Sequence, residues 1–396
     1  MEIVEKLKIG LIGLGNIGAG QHITYLSKMD NVEIVGVCDI IQEKADKYAA
    51  ECNTVAYYNY VDLFDNSGLE AVIIAVPHYD HTPISVEAFN RGLHVLCEKP
   101  IAVHINDAQK TMDAYEKAKN KNPNIGFALM FQERTYPVHK KIKDILDGGE
   151  LGKLIRVSWI NTAWFRSQAY YNSGGWRATW AGEGGGILTN QCPHNLDLYQ
   201  WLFGVPNKIS GHAHIGKFHD IEVEDEVTAY LEHENGMVGH FIVTTGETPG
   251  TNRMEIVGEN GKLIFENKKL VFHRNRMSML KFCKETKESF GNVECWYTEI
   301  PVNENEPQGH SVVTSKFVDV VLNGNGEFIA HGNEGIKSVT LANGIMLSSF
   351  TGKIVDVPFN GDEFENKLNE LMKTSKFVKV VNNDVAADIS KSFSKS

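Results

Sequence analysis

The stretch from Lys8 to Asp39 constrains the fold more than any other: the apolar run KIGLI opens into GLGNIG, a helix-length segment follows, and a second apolar run, VEIVGVCD, ends on an acid. A strand leading into a tight turn at Gly13, a bare backbone at Gly15 that lets amides reach a pyrophosphate, and close helix packing through Gly18 together read as a dinucleotide-binding unit. Asn16 and Ile17 complete the loop, and the helix N-terminus behind it offers positive partial charge to phosphates. Asp39 lies twenty-one residues after Gly18. A carboxylate at that distance accepts both ribose hydroxyls and repels a 2′-phosphate, so the expected cofactor is NAD rather than NADP.

At 396 residues the chain is longer than one ordinary core, and two domains are expected. Short apolar runs (KIGLI, EIVGVC, AVIIAV, HVLCEK, IGFALMF) alternate with helix-length segments through the first third, the pattern of βαβ units and a parallel sheet. After Phe131 the rhythm changes. YPVHKKIKDILDGG reads as an amphipathic helix stopped by Gly148 and Gly149, and alternating runs then flank Asn235-Gly236 and Asn260-Gly261, pairs that favour antiparallel hairpins. The fold class is therefore α/β: a Rossmann NAD-binding domain over 1–131 and an α+β substrate-binding and oligomerisation domain with a large, mostly antiparallel sheet over 132–359. A partly helical or frayed tail covers 360–396.

A formal net charge of −11 without a clustered basic face argues against nucleic acid or a membrane surface as partner. The chain enters its first strand almost at once and has no apolar stretch of membrane-spanning length, so a cytoplasmic protein is expected. Six cysteines without paired spacing read as free thiols. No metal is expected: His212 and His214 share a strand face, but no carboxylate or cysteine completes a ligand spacing.

Two further segments reach the C-terminal edge of the parallel sheet, where ligands bind in open α/β folds. AVIIAVP ends at Pro77, and PHYDH places His78 and His81 there as cofactor-edge residues or, alternatively, as first-turn residues of the next helix. HVLCEKP ends in Glu98-Lys99-Pro100. A lysine partly desolvated beside a positively charged nicotinamide has its ammonium disfavoured and can accept a proton near neutral pH, as alcohol oxidation requires. Pro100 restricts the backbone that aims it. Taken alone, a surface lysine in a strand-exit turn is the competing reading. The segment SWINTAWFRSQAYYNSGGWRATWAGEGGG supplies aromatic faces and arginine donors of the kind a sugar ring needs, although some of these aromatics will be core.

Together GLGNIG, Asp39, PHYDH and above all HVLCEKP resemble the glucose–fructose oxidoreductase and inositol dehydrogenase family, Gfo/Idh/MocA. The resemblance continues through FALMFQERTYPVHKKIKDILDGGELGKLIRV, GEGGGILTNQCPHNLDLYQWLFG and FVDVVLNGNGEFIAHGNEGIKSVTLANGIMLSS, about residues 7 to 358. It implies an N-terminal Rossmann domain, an open-faced C-terminal sheet that often forms the oligomer contact (dimer or tetramer), NAD(P) dependence, and redox chemistry at a ring carbon of sugars or cyclitols. It also implies catalytic roles for Lys99 and for His194, which follows the glycine-rich stretch. An imidazole at that place can take a hydroxyl proton as hydride leaves. Inositol-type members carry an aspartate four residues before that histidine, whereas this chain has Asn190, which can orient a hydroxyl but cannot take its proton. Asp197, three residues after His194, orients that histidine or binds a substrate hydroxyl, or else is a helix-surface acid. Arg177 resembles the Trp-Arg pair of glycoside-acting members, which brings in Trp176, and His310 resembles a site-proximal position.

These readings converge on an NAD-dependent dehydrogenase acting on a secondary ring hydroxyl, that at C3, of a sugar or glycoside. Three alternatives stay open: a redox-assisted glycosidase working by oxidation and elimination, an inositol dehydrogenase, and a non-catalytic NAD-binding sensor.

Overall fold

The computed structural model describes residues 5–324 and 326–381. The first apolar runs become six parallel strands: β1 (Leu7–Ile12), β2 (Val32–Cys38), β3 (Ala56–Tyr57), β4 (Ala71–Ile74), β5 (His94–Cys97) and β6 (Phe127–Leu129). Their order is β3-β2-β1-β4-β5-β6, the doubly wound arrangement in which ligands meet the C-terminal strand edge. β4 is buried at all four positions, because a parallel sheet covered on both faces has no solvent side and needs an unbroken apolar run.

Two later segments complete this unit, which comprises residues 1–135, 181–184 and 307–340. The helix His310–Asn323 brings Val313, Phe317 and Val318 into the same core as Ile9, Leu11 and Ile73. Residue 331 bridges Ala128 at the β6 edge. The unit thus extends past residue 131 and takes in residues from the expected second domain. The cause is the apolar face of that helix, whose periodicity does not disclose which core it joins.

The second unit comprises residues 136–180, 185–306 and those from Leu341 on. Its strands are β7 (Leu154–Asn161), β8 (Lys208–Ile215), β9 (Glu224–Glu232), β10 (Val238–Thr244), β11 (Asn252–Gly258), β12 (Gly261–Glu266), β13 (Lys269–Asn275), β14 (Cys295–Ile300) and β15 (Val355–Asp356). They form one sheet in the order β14-β13-β12-β11-β7-β10-β9-β8-β15, antiparallel except for the β7–β10 pair. β12 alternates buried and half-buried residues along its length, the pattern of a sheet packed on one face. The β9–β10 and β11–β12 hairpins form at the two Asn-Gly pairs. Helix Pro193–Phe203 is buried along nearly its whole length.

The expected tail begins with a helix, Gly361–Thr374, that buries Phe364 and Leu368; its SKSFSKS end lies outside the described residues. Among the described residues no helix is long and apolar enough to cross a membrane. All six cysteines are free thiols.

Candidate active site

In the first unit the glycine loop is set by contact. Gly13 has φ +90°, and a Cβ there would meet the Ala75 carbonyl oxygen at 2.3 Å; one on Gly18 would lie 1.8 Å from the Gly13 carbonyl oxygen. Gly15 has open space instead, with nothing within 4 Å of an added Cβ. The loop therefore uses two glycines to hold its own shape and leaves the third as a bare approach for a ligand. Asn16 is exposed and Ile17 half-buried beside it. Asp39, half-buried at the end of β2, accepts from the Leu14 amide (2.8 Å) and the Ile41 amide (2.9 Å). Its carboxylate is thus locked to the glycine loop, and the pair fits a dinucleotide whose ribose diol meets an acid.

The strand order places the β1 loop, Pro77 after β4 and Glu98-Lys99 after β5 on one edge of three neighbouring strands. Pro77 is exposed and caps the helix His78–Asn90. His78 is buried, with Nδ1 3.0 Å from the Glu183 carbonyl oxygen. His81 is buried too, its Nδ1 2.6 Å from the Pro100 carbonyl and its Nε2 2.9 Å from the Val76 carbonyl, so it ties the two strand exits together. Burial holds this imidazole below the usual histidine range, against the pull of both carbonyls. Lys99 is half-buried, and the Lys99–Pro100 peptide is cis.

Glu98 is buried, with Oε1 accepting from His22 Nε2 at 3.0 Å and Oε2 3.4 Å from the Lys99 amide. His310, on the helix returning to this unit, has Nε2 3.9 Å from the same Oε1. Burial alone would raise the Glu98 pKa, but the hydrogen bond from His22 and the charges of His22, His310 and Lys99 outweigh it and hold the carboxyl at about 2. Burial pushes His310 down to about 4 despite Glu98 beside it. His310 therefore lies next to Glu98. His22 was missed in the sequence, where it is one polar residue in a helix-length segment; its spacing of four from Gly18 was the only signal.

In the second unit the chain must be glycine at 186, since a Cβ would lie 1.9 Å from the Glu224 carbonyl oxygen. The Glu224 carboxylate, buried in β9, accepts from the amides of Gly186 (2.8 Å) and Leu188 (3.0 Å) and so fixes the turn that leads to Asn190 and His194. Asn190 is half-buried, and its backbone N–H donates to the Gly186 carbonyl at 3.0 Å. His194 is buried in the first turn of helix Pro193–Phe203. Asp197 is buried on that helix and accepts from Gln200 at 3.0 Å, which sets aside the helix-surface alternative.

The aromatic segment divides. Trp164, Tyr171 and Trp180 are buried, with the Trp164 indole donating to Asn195 Oδ1 at 3.2 Å. Trp176, Arg177 and Tyr170 are half-buried. The Arg177 guanidinium lies 4.7 Å from the Tyr170 ring and 4.5 Å from the Trp176 ring, and donates to the Tyr170 hydroxyl at 2.8 Å. Gln191 donates to that hydroxyl at 3.1 Å and so links the segment to the turn before His194. His219 braces the same segment, facing Asp225 Oδ2 at 2.9 Å and the Arg166 carbonyl at 2.8 Å, a support that no sequence pattern suggested. Among the described residues no group of three or more His, Cys, Asp or Glu side chains is placed to hold a metal ion.

Residues 7–123 match an oxidoreductase family with an NAD-binding Rossmann fold, and residues 139–264 match the GFO/IDH/MocA C-terminal domain. The chain is 34% identical over 155 residues to an inositol 2-dehydrogenase of Salmonella paratyphi B, a stretch covering 38% of this chain and 44% of that enzyme. It spans less than half of that relative's length. It is 25% identical over 288 residues to the glucose-6-phosphate 3-dehydrogenase of Bacillus subtilis, covering 69% of this chain and 76% of that protein. The fold is shared with the WlbA dehydrogenase of Bordetella pertussis, crystallised with NADH and UDP-GlcNAcA, at a TM-score of 0.74 and 24% identity over 90% of this chain and all of that one.

Proposed function

Because the chain belongs to the Gfo/Idh/MocA oxidoreductases, whose Rossmann domain binds NAD, we propose that it oxidises a secondary ring hydroxyl, that at C3, of a sugar or glycoside. The observation that carries this reading is the strand order: the glycine loop with its Asp39 lock and Lys99 leave neighbouring strands at the same sheet edge. Bound NAD supplies the hydride acceptor. Gly13, Gly15, Asn16, Ile17, Gly18 and Asp39 would hold it, with Pro77, His78, His81 and Glu98 lining the same edge. Lys99 would take the proton from the reacting oxygen. His194 is the second acid–base residue, since an imidazole can carry a proton at neutral pH where an amide such as Asn190 cannot. Asn190 and Asp197 would orient hydroxyls, Trp176 would stack on the ring, and Arg177 would donate to its oxygens. His310 is assigned here to Glu98 rather than to direct substrate contact.

Similarity to the glucose-6-phosphate 3-dehydrogenase along most of its length supports a pyranose and C3. Similarity to the inositol 2-dehydrogenase over a shorter stretch supports the cyclitol alternative. The experiment is NADH formation with product analysis across hexoses, glycosides and inositols. Reduced cofactor and a ketone from a pyranose are expected. Released aglycone without net NADH would replace this reading by the redox-assisted glycosidase, and NAD binding without turnover by the sensor. Assembly into a dimer or tetramer through the exposed face of the second sheet, where Tyr230 and Tyr297 are exposed, belongs to the same proposal; a monomer by light scattering would remove it.

A further inference from the structure

Glu98 is charged although buried, and the groups that act on it are His22, His310, Lys99 and His81. His22 comes from the π-helical turn Gly18–Ile23 behind the glycine loop, and His310 opens the helix His310–Asn323. The two rings meet edge to face with centroids 6.2 Å apart, and both direct Nε2 toward Oε1, at 3.0 Å and 3.9 Å. Lys99 follows in the chain, and His81, in the first turn of helix His78–Asn90, senses the same carboxylate. A buried carboxylate is stable only with donors on its oxygens.

We propose that His22 is a positioning residue for Lys99: by donating to Oε1 it keeps the Glu98 carboxylate committed to the π turn and withholds it from the neighbouring ammonium. The inference rests on reading Lys99 as the acid–base group. Its physical content is competition for one carboxylate. If His22 becomes an apolar ring, Oε1 keeps only the more distant His310, which burial leaves uncharged at neutral pH. The nearest full positive charge along the chain is then the Lys99 ammonium. Pairing with Glu98 would favour the charged lysine, by roughly 1–3 pKa units for an opposite charge at contact. It would also draw Nζ back toward the strand. The π turn is part of the device, since its extra residue per turn changes which side chain faces β5, and such turns recur at functional sites. His22 Nδ1 has no hydrogen-bond partner among the described residues, so the Nε2 bond and packing alone set the ring's orientation.

The test compares His22→Phe, which keeps a ring, with His22→Gln, whose amide can still donate to Oε1. Two readouts are taken: kcat and KM across pH, and the pH midpoint for acetylation of Lys99 in the NAD-loaded protein, followed by peptide mass spectrometry. His22→Phe should bind NAD normally and lose roughly tenfold in kcat, short of the ~10²–10⁴-fold expected when an acid–base group itself is removed. Its ascending pH limb and its Lys99 midpoint should both move up by roughly one unit, the low end of the range for a contacting opposite charge. His22→Gln should restore both. An unmoved midpoint and pH profile in His22→Phe, or a glutamine variant no better than phenylalanine, would overturn the proposal. Should His22→Phe fail to fold, His22→Ala is read in the same way: it too frees Oε1, its Lys99 midpoint should rise, and an unmoved midpoint is equally fatal. A midpoint that moves with His22 in a protein whose Lys99→Ala variant keeps full turnover supports the positioning and overturns the catalytic reading instead.

Discussion

Replacing Glu98 by glutamine should flatten the acid limb of stability in the first unit. The folded carboxyl sits at about 2 against an ordinary 4.5, a gap equivalent to about 3 kcal/mol at ~1.4 kcal/mol per pKa unit. The sign follows from a lowered folded pKa in an acid: the contribution is complete above pH 4.5 and drains away as pH falls toward 2. His310 adds a second, higher window. Its folded pKa of about 4 lies below the ordinary 6.5, so below pH 6.5 the unfolded chain takes up the proton first, and stability falls until about pH 4. The two groups face each other, so their windows do not simply add. Glu98→Gln should shrink the loss below pH 4.5, leaving the share of Glu334, whose pairing with Arg134 at 2.9 Å lowers it against the effect of burial, and keep the loss that His310 causes, while retaining an acceptor for His22. The probe must be chosen with care, because all six tryptophans lie in the second unit and their fluorescence does not report on the first. A urea titration at each pH, read by a fixed-pH pulse of hydrogen exchange on peptides covering β5, reports the right core. An acid limb below pH 4.5 equally steep in wild type and Glu98→Gln would mean that Glu98 does not carry it.

Three further outcomes are expected. Asp39→Ser should narrow the preference for NAD over NADP by roughly tenfold or more, as removal of one partly screened like charge suggests; calorimetry finding equal affinity for both in the unchanged protein would remove Asp39 from the cofactor site. Gly18→Ala should abolish NAD binding while Gly15→Ala only weakens it, because the first drives a Cβ into the Gly13 carbonyl and the second meets open space; the reverse order in the same titration would mean the loop is misread. Arg177→Ala should raise KM for a pyranose with little change in NAD affinity, and a variant impaired only toward NAD would displace the aromatic segment from the substrate.

The first unit was largely legible because its signals are local. GLGNIG, the acid ending β2 and the two strand exits each state their geometry within a few residues, and parallel strands buried on both faces read as apolar runs. The hairpins were legible for the same reason. What could not be read depends on distant partners. Helix His310–Asn323 carries an apolar face that fits either core, and only packing beside Ile9 and Leu11 assigns it. The parallel β7–β10 pair joins segments far apart in sequence, with no turn to announce it. His22 acquires meaning only when a π turn brings it against Glu98, and Asp225 only when His219 closes on it.

In the proposed reaction, hydride leaves a ring carbon while Lys99 handles the proton. Hexopyranoses carrying deuterium at single ring positions, incubated with NAD and either the unchanged protein or Lys99→Ala, test it directly by mass analysis of the reduced nicotinamide. Deuterated cofactor is expected from one labelled position, C3, with a loss of ~10²-fold or more in its rate of formation for Lys99→Ala. Reduced cofactor formed at equal rates by both proteins, or none from any pyranose, glycoside or inositol, would contradict it.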